Sequence, residues 1–69
     1  MKQLRYPDVV KKAKKAGFVF RRSTGSHEIW WNSKTQKTCV IPHHMEVVPG
    51  TLKNIIKQMD ITKSEFDKL

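Results

Sequence analysis

At 69 residues the chain can form one small domain, which at this size buries only roughly 60% of its unfolded surface; this excludes a deep enclosed active site and favours a shallow patch suited to a polymer. Fourteen Lys and Arg against six Asp and Glu give a formal net charge of +8, a field that attracts polyanions, nucleic acid first among them. No window approaches the roughly 20 apolar residues of a membrane span and Met1 to Arg5 lack a signal-peptide core, so a soluble cytoplasmic protein with no membrane partner is expected.

In chain order, Val9, Val10, Ala13 and Ala16 recur at helical spacing between Pro7-Asp8 and Gly17, which predicts a first helix over about residues 7 to 16. Lys11, Lys12, Lys14 and Lys15 on its other face read as solvated charge, as helix-exterior lysines usually are. Three short aromatic or β-branched runs follow: Phe18 to Arg22, His27 to Asn32 and Thr38 to Ile41. The connections between them are of hairpin length, which predicts an antiparallel meander. Trp30 and Trp31 are adjacent, so one faces the core and the other does not; the sequence leaves open which. Cys39 lies inside the third run, where a free thiol packs as a small hydrophobe, and a lone cysteine fits a reducing compartment. Pro42 ends that strand, and Pro49-Gly50-Thr51 is read as a turn before a second helix whose stripe is Leu52, Ile55, Ile56 and Met59. Thr62 and Glu65 have capping-box spacing, which predicts a short terminal helix carrying Phe66.

The sum is an α+β domain over residues 1–69: helix, three-stranded antiparallel sheet, helix, with both helices on one sheet face and the other face open. The chemistry is densest in Arg21-Arg22-Ser23-Thr24-Gly25-Ser26-His27. Two guanidiniums can clamp phosphate oxygens and Gly25 permits close backbone approach, while an imidazole can move protons near neutral pH. His27 is therefore the candidate catalytic residue. Glu28, its only acidic neighbour, should point to the opposite face. His43 and His44 diverge on an extended chain and no metalloprotease spacing is present, so neither a metal nor another cofactor is expected.

The order of these pieces resembles the HicA family of mRNA-cleaving toxins, also described as YcfA-like. The resemblance rests on Ala16-Gly17-Phe18, Gly25-Ser26-His27, Ile41-Pro42-His43-His44-Met45-Glu46, Pro49-Gly50-Thr51-Leu52 and the stretch from Ile61 to Phe66. It implies a fold similar to the double-stranded-RNA-binding domain, α-β-β-β-α. It also implies the toxin of a type II toxin–antitoxin system that acts in stress as a metal-independent, ribosome-independent endoribonuclease on mRNA. The family's catalytic histidine maps onto His27, and a HicB-like antitoxin is the implied protein partner. The candidate RNA contacts are Arg21, Arg22, Gly25, Ser26, Lys34 and Lys37, with His44 carried over as a possible contact. Two other classes stay in play: a non-catalytic RNA-binding module of the same fold, and a protein-interaction domain anchored by an exposed tryptophan.

Overall fold

A computed structural model describes residues 2–69. In chain order its elements are β1 (Leu4–Arg5), α1 (Tyr6–Lys15), β2 (Val19–Thr24), β3 (His27–Asn32), β4 (Lys37–Pro42), β5 (Glu46–Val47), α2 (Pro49–Met59) and α3 (Lys63–Asp67). Strands β2, β3 and β4 form a three-stranded antiparallel sheet in that order. The arrangement is the α-β-β-β-α order expected, with a short ribbon of β1 and β5 added beside it.

One core joins the helices to one sheet face. Val9 and Ala13 of α1, Leu52, Ile55, Ile56 and Met59 of α2 and Phe66 of α3 cluster with Phe18, Trp30, Cys39 and Ile41. Strand alternation explains the rest: Glu28, Trp30 and Asn32 face the helices, and His27, Ile29 and Trp31 face the open side. Trp30 is thus the core tryptophan and Trp31 the part-buried one on the open face. Cys39 is fully buried, and burial pushes its thiol pKa up to about 12, so it behaves as a hydrophobe and not as a nucleophile.

Local chemistry sets the element ends. Gly17 takes φ +97°, and a Cβ there would meet the Asn32 amide at 3.1 Å. That amide is buried and donates to the Ala16 carbonyl at 3.1 Å, while its oxygen accepts from the backbone N–H of Lys34 at 2.9 Å. Asn32 therefore closes both the end of α1 and the β3–β4 turn. Thr62 and Glu65 form the expected capping box at α3.

Three differences from the sequence reading have clear causes. Pro49, Gly50 and Thr51 are the first turn of α2 and not a turn before it, because the first N–H groups of a helix are unpartnered and Pro49 has none to lose. The β1–β5 ribbon pairs two residues on each side, too few for a period-2 pattern to register. Lys12 is not a free solvated lysine: its Nζ donates to the carbonyls of Phe66 at 3.0 Å and Leu69 at 3.3 Å, where it neutralises the end of α3 and lies 5.1 Å over the Phe66 ring.

Candidate functional site

The β2–β3 connection is tighter than the spacing suggested. Thr24 pairs directly with His27, so the loop is only Gly25-Ser26. Gly25 has φ +59° and Ser26 is not in the left-handed region, the pattern of a type II′ hairpin turn. His27 is consequently the first residue of β3, held at a hairpin tip. The tip is braced from the far side by the backbone N–H of His43, which donates to the Ser26 carbonyl at 2.6 Å.

The His27 side chain is exposed on the open face and has no hydrogen-bond partner among the described residues. It lines a hollow of about 260 Å³ with Val40 and Pro42 of β4, His44 of the following loop, and Thr51, Asn54 and Gln58 of α2. This hollow sits where the open face turns around the β4 edge toward α2. The edge itself is covered by α2: the Val40 N–H, which a neighbouring strand would otherwise take, donates to Gln58 Oε1 at 2.8 Å.

A register shift in β2 decides where the arginines go. Phe20 pairs with Trp30 and Arg22 with Ile29, so Arg21 is an extra residue at a bulge. In an unbroken strand Arg21 and Arg22 would face opposite sides, whereas here both line one open-face hollow with Ile29 and Thr38. Arg21 stacks over Trp31 with its guanidinium carbon 5.2 Å from the ring centroid. Arg22 is the diagonal cross-strand neighbour of His27, a separation of about 7–8 Å that lies within the reach of a long side chain. The two hollows adjoin, because Ile29 of one is directly opposite Val40 of the other.

Behind His27, on the helix side, lies a polar cluster. Glu28, with its side chain 12% exposed, accepts from the Tyr6 hydroxyl at 2.6 Å and from the Trp30 indole N–H at 3.1 Å. His43 Nδ1 is 3.4 Å from the same carboxylate, and its ring stacks on Tyr6 at 4.2 Å between centroids. Burial, followed by the Glu28 carboxylate, pushes the Tyr6 hydroxyl pKa up to about 12. His43 and His44 therefore diverge, the first into this cluster and the second into the His27 hollow. Among the described residues no three His, Cys, Asp or Glu side chains come together as a metal site.

Of the residues singled out in the sequence, His27, His44, Arg21, Arg22, Gly25 and Ser26 are gathered at one end and along the middle of the open face. Lys34 and Lys37 are not. Lys37 pairs with Asn32, five residues along β3 from His27 and so about 17 Å away, and its ammonium is 3.8 Å from the Asp60 carboxylate. Sequence reasoning missed Thr51, Asn54 and Gln58. A usable signal existed: they sit at i, i+3 and i+7 of α2, an uncharged polar stripe between the apolar stripe and the lysines.

The fold defines a class: small basic α+β domains in which helices back one face of a three-stranded antiparallel sheet and leave the other uncovered. Within that class the family described as HicA toxin of bacterial toxin–antitoxin matches residues 6–61, from the start of α1 to just past the end of α2. The chain belongs to the HicA toxin family, and membership implies a toxin whose counterpart is an antitoxin. No match was found among curated proteins. Among the described residues no helix is long and apolar enough to cross a membrane.

Proposed function

We propose that this toxin is a type II system's metal-independent, ribosome-independent endoribonuclease, acting on mRNA with His27 as its catalytic residue. The observation that carries the reading is the exposed His27 ring at a two-residue hairpin tip, without a hydrogen-bond partner among the described residues, one diagonal step from Arg22 and in the same hollow as His44. RNA supplies its own nucleophile. The 2′-oxygen attacks the adjacent phosphorus, the bond from phosphorus to the 5′-oxygen breaks, and a 2′,3′-cyclic phosphate and a 5′-hydroxyl end result. One proton leaves the 2′-hydroxyl and one reaches the departing 5′-oxygen. His27 handles one of these transfers and solvent water the other, with His44 in the same hollow as an RNA contact. Guanidiniums of Arg21 and Arg22 offset charge on the crowded phosphate. Gly25 and Ser26 let the RNA backbone approach the turn, and Lys34 in the β3–β4 turn extends the cationic track at the far end of the sheet, whereas Lys37, on the helix side beside the Asp60 carboxylate, stands off that track.

The natural partner on the protein side is a HicB-like antitoxin that covers this cationic open face. No small-molecule cofactor enters the scheme. The test is cleavage of single-stranded RNA by the purified chain free of antitoxin, with His27→Ala as the comparison. General acid–base catalysis contributes roughly 10²–10⁴-fold, so His27→Ala should lose that much rate while its RNA affinity stays within a few-fold. RNA left intact by the folded wild-type chain, yet bound by it, would instead establish a non-catalytic RNA-binding module.

A further inference from the structure

The geometry points to the hollow beside His27 as a subsite for one nucleobase, in which Gln58 and Asn54 of α2 set the sequence preference of the RNA; the inference deepens the RNA reading above and rests on it. The charges on this surface are segregated. Arg21 and Arg22 belong to the neighbouring hollow, and among the described residues no Lys, Arg, Asp or Glu lines this one. A phosphate is drawn to the first. The second suits a neutral, polar and flat group, and its volume of about 260 Å³ lies just below the roughly 300–1,000 Å³ of pockets for drug-sized ligands. The exposed His44 ring is the aromatic group that lines this hollow beside His27, and stacking on such rings is how unpaired RNA bases are usually held. Since His27 shares the hollow, the base in it belongs to a nucleotide flanking the reacting phosphate.

The orientation of the Gln58 amide is fixed. Its partner is the backbone N–H of Val40, which can only donate, so Oε1 must face β4. The Nε2 hydrogens are left on the other branch of the amide with no partner among the described residues. Gln58 thus offers the base a donor and seeks an acceptor on its edge. Asn54 stands one turn earlier on the same face and makes no hydrogen bond among the described residues. Uracil carries carbonyl acceptors at both exocyclic positions, whereas adenine accepts only through ring nitrogens and sets an amino donor beside those on its Watson–Crick and major-groove edges, which opposes the Nε2 hydrogens.

Gln58→Glu keeps the oxygen that accepts from Val40 and replaces the donor by an acceptor. The experiment measures binding of short U-tract and A-tract RNA by fluorescence anisotropy, in a His27→Ala background so that no RNA is cut. The added negative charge weakens both tracts, so the ratio is read. On Gln58→Glu the U-to-A affinity ratio should fall at least threefold, whereas Arg22→Ala should weaken both tracts alike. Equal weakening of both tracts by Gln58→Glu overturns the subsite. If that variant fails to fold, Asn54→Ala decides in the same assay, and an unchanged ratio overturns it. A shifted ratio in a chain whose His27-bearing form cuts no RNA would retain the base subsite and remove the nuclease.

Discussion

Replacing Glu28 with alanine removes the carboxylate that organises the helix side of the His27 hairpin. Two donors, the Tyr6 hydroxyl at 2.6 Å and the Trp30 indole at 3.1 Å, lose their acceptor, and the His43 ring loses its counter-group at 3.4 Å. Hydrogen bonds to a charged group contribute about 1.5–3 kcal/mol each, so the pair is worth roughly 3–6 kcal/mol when no water replaces it. The site is part-buried, and water reaching one donor brings the expected loss to about 2–3 kcal/mol. For a domain whose whole stability is on the order of 4–10 kcal/mol, this is a large fraction. One kcal/mol shifts the melting temperature of a small domain by about 4–8 °C, so thermal unfolding followed by circular dichroism should show a drop of about 10 °C or more. Glu28→Gln keeps one acceptor oxygen and should lose about half as much. The loss should also reach the site, because His43 braces Ser26 beside His27 and its ring would no longer be anchored. A melting temperature for Glu28→Ala within about 3 °C of wild type would refute the claim that this carboxylate holds the cluster, given the bond energies involved.

Further expectations concern neighbouring groups. The Tyr6 hydroxyl pKa is raised from its ordinary 10.0 to about 12, so the neutral form is favoured by folding; its contribution is complete below the unfolded value and disappears as pH rises through the folded one. Tyr6→Phe should therefore flatten the loss of stability between those two pH values, measured by urea denaturation across alkaline buffers. Thr62→Ala removes the cap of α3 and should cost about 0.5–2 kcal/mol in the same measurement. In that capping box the backbone N–H of Thr62 donates to Glu65, and together with the Thr62 side chain this holds the Glu65 carboxyl below its ordinary pKa of 4.5. The cap's contribution is thus present above that value and fades as pH falls through the lowered one. Arg21→Ala and Arg22→Ala should each reduce the slope of log affinity for single-stranded RNA against log salt by about 0.7, provided each arginine contacts one phosphate.

Much of the architecture was legible because it depends on short-range chemistry. The period of Leu52, Ile55, Ile56 and Met59, the capping pair Thr62 and Glu65, and the β-branched and aromatic runs each report local preference. His27 was legible by residue type, since imidazole beside two arginines is chemistry that composition alone can suggest. Its exposure was not, and neither was the company it keeps. Gln58 and Asn54 read as ordinary helix-surface amides until α2 is laid along the β4 edge, and Glu28 reads as a strand carboxylate until Tyr6 and His43 arrive from other elements.

The placement of the arginines separates the two kinds of information most clearly. Sequence supplies Arg21 and Arg22 as neighbours, and strand alternation sends them to opposite faces. Only the pairing of β2 with β3, with one residue too many between Phe20 and Arg22, brings both to the open face. The period of a side-chain pattern is encoded residue by residue, so hydrophobic spacing and turn chemistry determined which segments are helix or strand. Register, bulges and the packing of one element on another's edge depend on contacts between residues distant in the chain, and those alone decided which side chains share the hollow with His27.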